Sequence, residues 1–300
     1  MLTKKANLEA VEKFSENLEI EGRSLWQDAR IRFMRNKAAM VSLFVLVLIT
    51  LAVIFLPMFS QYSYSETNWS AMQAAPSWQH LFGTDSLGRD LYVRTLVGGR
   101  ISLMVGVLGA VVAVLIGTLY GAASGFIGGR TDRLMMRVVE ILYAIPFMFL
   151  VIVLVTFFGR NLIFIFVAIG AISWLDMARI VRGQTLSLRG KEFIEAAHIA
   201  GVSKWRIITR HIVPNVLGLV AIYSTLLIPN MILTESFLSF LGLGVQEPMT
   251  SWGALLQQGA NNMQVAIWQL AFPAAFMIVT LFCFNYLGDG LRDALDPKDR

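Results

Sequence analysis

Long uncharged apolar runs, separated by short charged stretches, dominate this chain from residue 38 onward. A helix needs about 20 residues to cross the roughly 30 Å hydrocarbon layer of a bilayer. On that measure residues 38–59, 101–125, 141–158, 161–175, 212–233 and 265–287 predict six transmembrane helices and an all-α polytopic membrane fold. The fourth run is short. It reaches spanning length only if Asp176, Met177 and Ala178 carry it into the interface beside Trp174, a residue type that anchors at that depth.

Finer patterning adds detail to this frame. Ahead of the first run, Leu25, Trp26, Ala29 and Phe33 share one arc of a helix, with Arg30, Arg32, Arg35 and Lys37 outside it. Such a helix would lie flat on the membrane surface. Gly109, Ala113, Gly117, Gly121 and Gly125 form a ladder of small residues every four positions along the second run, which lets another helix backbone come close. Internal packing against a neighbouring span accounts for the ladder more simply than a dimer seam. Pro146 and Pro229, inside apolar runs, remove backbone hydrogen bonds and predict kinks.

Composition agrees with this picture. The 300 residues are 56% hydrophobic with a mean hydropathy of +0.63, against roughly 45–50% apolar content in soluble domains. Too little polar sequence remains for a separate soluble core. The chain divides into a tail (1–37), the first span (38–59), an outer loop (60–100), a core (101–288) carrying a charged loop (179–211), and a second tail (289–300). The N-terminus is not patterned as a secretory signal, because mixed-charge residues precede a first run of full spanning length. Cys283, the single cysteine, lies in an apolar run and is expected to be a packing residue.

With six spans, Arg89, Arg94, Arg100 and Arg160 are the only ones of the 25 basic residues on one side of the membrane. Short cytoplasmic loops retain Lys and Arg, so both termini and the loop 179–211 are expected to be cytoplasmic. The net charge of +5 is then a matter of topology and needs no nucleic acid to explain it.

Catalytic chemistry is thinly supplied. His80, His198 and His211 stand at no metal-ligand spacing with Cys, carboxylate or one another. The only Gly-Lys pair, Gly190-Lys191, lacks the upstream glycine of a phosphate-binding loop, so the chain is not expected to hydrolyse ATP or to hold a cofactor. Glu140, Asp176, Glu235 and Asp289 sit at expected span boundaries, where water access favours structural roles over proton relay.

The most informative stretch is 192–215, EFIEAAHIAGVSKWRIITRHIVPN. If 192–200 is helical, Ile194, Ala197 and Gly201 fall at i, i+3 and i+7 and give one small, smooth face that a partner's groove could accept. Gly201 supplies permissive backbone for a turn. The stretch is similar to the helix-turn-helix of small DNA-binding repressors, but spans on both sides clamp it at the lipid surface, where a recognition helix could not enter a major groove.

Its spacing also resembles the EAA loop of permease subunits of ATP-binding-cassette (ABC) importers, with Glu195, Ala196, Ala197, Gly201 and Pro214 all matching. His211 and Val213 depart from the family's usual Ile and Leu and narrow the likeness to the peptide-permease branch. FGTDSLGRD (82–90), ESFLSFLGLGVQEPMTSWG (235–253) and GDGLRDALDPK (288–298) extend the resemblance, over almost the whole chain, to the dipeptide and oligopeptide permease C-type subunits.

The resemblance implies a type I importer permease (MetI-like) fold in the bacterial inner membrane. It implies pairing with a homologous B-type permease subunit to form a translocation path, two ATPase subunits docked below, and a periplasmic binding protein delivering peptide above. Glu195, Ala196, Ala197, Gly201 and Pro214 become the expected ATPase-docking residues. Glu235, Ser239 and Trp252, in a nearly uncharged outer segment, become candidates for the translocation path or its gate, with a re-entrant packing loop as the alternative.

Overall fold

A computed structural model of the chain describes residues 25–159 and 162–295. Tail residues 1–24 and 296–300, with Arg160 and Asn161 at the start of the expected fourth span, lie outside them. Among the described residues there is no β-strand, only an isolated bridge between Thr84 and Asp90.

The chain enters through α1 (Leu25–Arg35) and breaks at Asn36, whose side chain caps α2 (Lys37–Phe55) by accepting from the Ala39 amide at 3.1 Å. Ala29 is buried, Arg30 and Arg35 are exposed, and Arg32 and Phe33 are half-buried; the side chains of Leu25 and Trp26 lie outside the described residues. Pro57, just past α2, has no N–H for the Val53 carbonyl. Arg100 supplies the missing donors, its guanidinium reaching Val53 O at 3.2 Å and Ile54 O at 2.8 Å.

The second apolar run belongs to α3 (Leu91–Ile127), a helix of 37 residues and about 55 Å that begins well before Ile101. Asp90 caps it, accepting from the Val93 amide at 2.9 Å. Every other long helix is arranged around it. The glycine ladder is internal packing: a β-carbon at Gly117 would lie 2.6 Å from Met177 Cβ, and one at Gly125 would lie 2.9 Å from Thr185 Cβ, both on α6 (Leu162–Arg189).

Pro146 does more than kink its span. It separates α4 (Gly129–Ala144) from α5 (Phe147–Phe158), and the two are bent by 76°. The apolar run of the expected third span is split, its first four residues ending the amphipathic α4 and Phe147–Phe158 forming α5. α6 carries the fourth run and continues past it to Arg189, through charged residues the hydropathy pattern assigned to a loop.

After α7 (Glu192–Ile199) comes α8 (Lys204–Phe240), then α9 (Trp252–Asn261) and α10 (Trp268–Leu295). Pro214 sits within α8 just after a π-helical turn, Ile208–Ile212, in a continuous helix. The wider turn accommodates the lost Pro214 donor, and Asn215 Nδ2 donates to His211 O at 2.7 Å. Pro229 lies inside α8 without ending it.

Four described helices are each long and apolar enough to span a membrane, and the bent α4–α5 pair makes a fifth candidate. Three buried clusters hold the bundle together. One joins α3, α5, α6 and α8, with Val245 from the segment after α8; one gathers the ends of α3 and α6 with α7 and α8; one packs α2, α3, α8, α9 and α10 around Trp252 and contains Cys283.

Candidate functional site

The EAA segment forms α7, with Glu192 and Glu195 in its first turn, where negative charge suits the helix dipole. Its end is a Schellman motif: the Val202 amide donates to Ala197 O at 3.1 Å, and the Gly201 amide to His198 O at 3.1 Å. Gly201 has a φ of +74°, the left-handed conformation expected of it. Two links, residues 190–191 and 200–203, are all that separates α7 from α6 and α8.

Of the small face expected to meet a partner, Ile194 turns into the bundle, Ala197 is half-buried and Gly201 is exposed. Ile194 is 2% exposed, and Ala197 packs beside it against Phe126, Met177, Val181, Ile207 and Ile208. An apolar face exposed at one end of a bundle finds the bundle's own core first. What α7 presents outward is Phe193, Glu195, Ala196 and Ile199, the last 87% exposed, with Trp205 of α8 exposed nearby. Glu195 also lines a cavity of about 440 Å³ with Arg189, His198 and Lys204. Gly201 and Pro214 are both exposed, Pro214 further along α8.

Glu235, Ser239 and Trp252 come together at the opposite end of α8, and all three are buried. Ser239 Oγ donates to Glu235 Oε1 at 2.6 Å, and Ser102 Oγ to Oε2 at 3.3 Å. Trp252 donates through its amide to Ser102 Oγ at 3.1 Å and through Nε1 to Thr95 O at 3.0 Å. Gly99 makes room for the indole, since a β-carbon there would lie 2.6 Å from Trp252 Cζ2. Ser251 caps α9, accepting from the Ala254 amide at 3.1 Å. The group clamps α9 onto α3 and α8. Glu235 does not sit at a wet boundary: α8 runs on to Phe240 and the carboxyl is 0% exposed.

Beside this clamp lies an ion cluster whose members are scattered along the chain. Arg89, 4% exposed in its side chain, pairs with Asp85 at 2.7 Å and Glu247 at 2.8 Å. Arg94, fully buried, reaches Asp85 at 3.3 Å and Gln258 Oε1 at 3.3 Å. His80 Nδ1 meets Asp90 Oδ2 at 2.8 Å. The FGTDSLGRD motif is therefore a structural knot at the start of α3, tied to partners more than 150 positions away. The hydrogen bond from Arg89 holds the Glu247 carboxyl below its ordinary range against the opposing effect of burial. The signal was available in the pattern Asp85, Arg89, Asp90 and Arg94 beside an apolar run.

A second polar ladder joins α4 to α6. Arg182 forks onto Asp132, Nε to Oδ1 at 2.6 Å and Nη2 to Oδ2 at 2.7 Å, and Ser124 Oγ adds a bond at 2.5 Å. Tyr143 donates to Asp176, and the Arg179 guanidinium lies 4.1 Å from the centre of the Tyr143 ring.

The chain is similar in sequence and in fold to known proteins. Residues 113–300 match the family described as binding-protein-dependent transport system inner membrane component. Residues 24–76 match the N-terminal TM domain of oligopeptide transport permease C. The chain is 67% identical over 302 residues to the oligopeptide transport system permease protein OppC of Escherichia coli (strain K12), with both chains covered in full. It is 62% identical over 287 residues to OppC of Haemophilus influenzae, covering 95% of this chain and 92% of that one. In fold it is similar to a chain of the MetNI methionine ABC transporter in inward-facing conformations, with a TM-score of 0.55 at 16% identity, over 67% of this chain and 96% of that one.

The fold is thus that of the MetI-like permease subunits of ABC importers. The chain belongs to the family of binding-protein-dependent transport inner membrane components, in its oligopeptide permease C branch.

Proposed function

We propose that this chain is the C-type permease subunit of an ATP-driven importer in the bacterial inner membrane, and that with a homologous permease subunit it forms the translocation path for oligopeptides. Both termini and α7 face the cytoplasm, where two ATPase subunits dock. A periplasmic binding protein delivers peptide at the other end. The subunit itself is non-catalytic and needs no cofactor.

The observation that carries this reading is α7 itself, an exposed helix fixed to two long helices by links of two and four residues. Its buried side, Ile194 and Ala197, belongs to the bundle core, so a push on its outer side moves α6 and α8 as rigid bodies. Glu195, Ala196 and Ile199 are the contact residues, Ala197 and Gly201 hold the helix in place, and Pro214 sets the π turn through which α8 follows. Glu235, Ser239 and Trp252 support the path from inside the subunit by keeping α9 against α3 and α8.

Substituting Ile199→Glu tests the reading, because a side chain 87% exposed can change without disturbing the core. In the reconstituted transporter we expect normal subunit levels, with peptide-stimulated ATP hydrolysis and uptake both reduced at least tenfold. A transporter carrying Ile199→Glu that takes up peptide normally overturns the docking role. Uptake of dipeptides in preference to longer peptides shifts the substrate assignment and leaves the docking intact. A passive channel or signalling scaffold, the rival class, would show uptake or signalling indifferent to ATP.

A further inference from the structure

Between α4 and α6, at the α7 end of the bundle, lies a cavity of about 500 Å³ walled by Arg133, Arg137, Arg179 and Arg182 together with Asp132 and Glu140. Four guanidinium groups face two carboxylates. Arg182 is occupied by Asp132, Arg137 pairs with the exposed Glu140 at 2.9 Å, and Arg179 lies over Tyr143. Arg133 makes no ion pair among the described residues, so the cavity keeps an excess of about two positive charges. We propose that it binds the phosphate headgroup of an anionic phospholipid.

The surroundings favour a lipid over a free anion or an acidic protein segment. One position on from Arg133, Arg137 and Glu140 come Leu134, Val138 and Ile141, which are 73%, 43% and 58% exposed. Their spacing of i, i+4 and i+7 makes a continuous apolar stripe beside the arginine stripe. A basic helix with an exposed apolar stripe, bent 76° from the apolar helix that follows, has the shape of a helix lying in the membrane interface. A headgroup held by the arginines would lay its acyl chains along that stripe. Arginine suits the task because its planar fork matches phosphate oxygens. The inference depends on membrane placement and not on which solute is transported.

Native mass spectrometry of the full-length chain in detergent, titrated with phosphatidylglycerol or phosphatidylcholine, tests it. We expect retention of phosphatidylglycerol over phosphatidylcholine. In Arg133→Gln/Arg137→Gln that retention should fall on the order of 25-fold, from about fivefold per neutralised guanidinium. Arg130→Gln, an exposed arginine outside the cavity, should change it little, and Glu140→Gln should strengthen it by freeing Arg137. Equal retention of the two lipids, or unchanged phosphatidylglycerol binding in the double variant, overturns the site. A loss in Arg130→Gln as large as in the double variant would mean diffuse attraction and overturns it too. Inorganic phosphate that occupies the cavity when phosphatidylglycerol does not would overturn the lipid assignment.

Discussion

Gly201 and Glu247 show how much single residues carry at the two ends of this molecule. A β-carbon on Gly201 would touch nothing within 4 Å, so the cost of Gly201→Ala comes only from holding a φ of +74°. That cost is about 1–2 kcal/mol, enough to loosen the α7 cap without dismantling the bundle. Faster hydrogen exchange at the Gly201 and Val202 amides, with the spanning helices unchanged, is the expected readout. For Glu247, the lowered carboxyl pKa means that pairing with Arg89 stabilises the fold fully above the ordinary glutamate value and ceases to do so as pH falls through the lowered one. Thermal unfolding from pH 7 to pH 3 should show Glu247→Gln less stable than the parent at neutral pH, with the gap closing in acid. A gap that widens in acid would contradict this assignment.

Among the helices, the α4–α6 ladder is the connection most exposed to test. Ala at Arg182 would leave Asp132 half-satisfied by Ser124, at a cost of about 1.5–3 kcal/mol for a lost charge-assisted pair. Because α4 buries only Asp132 and Val139, that loss should free α4 locally while α3 and α8 keep their packing. Spin labels on exposed positions of α4 and α6 would show a broadened distance distribution, and an unchanged one would contradict the ladder's role.

The apolar runs that form α2, α5, α8 and α10, and the α7 helix with its glycine cap, were legible in the sequence because each depends on local pattern. Three features were not. The start of α3 at Leu91 carries Arg94 and Arg100, which hydropathy reads as a loop; apart from the nearby Asp85, their partners at 53–54 and 258 are remote in sequence. Glu235 reads as a boundary residue because Ser102, which bonds its carboxyl, lies 133 positions away on another helix. The orientation of α7 was not legible, because periodicity marks an apolar face without saying whether the bundle or a partner covers it.

At the scale of the whole molecule, the central proposal is that α7 is the place where an ATPase subunit grips this permease. The chain has a single cysteine, Cys283, which is buried, so introduced cysteines report cleanly. The decisive measurement is disulfide crosslinking in the assembled transporter between Ile199→Cys and cysteines placed around the ATPase surface groove. Trp78→Cys, 97% exposed in the 60–90 segment at the other end, serves as the reference. We predict a crosslink from position 199 whose yield changes when ATP is bound, and none from position 78. Crosslinking to the ATPase from position 78, or its absence at 199 in an active complex, would contradict the account.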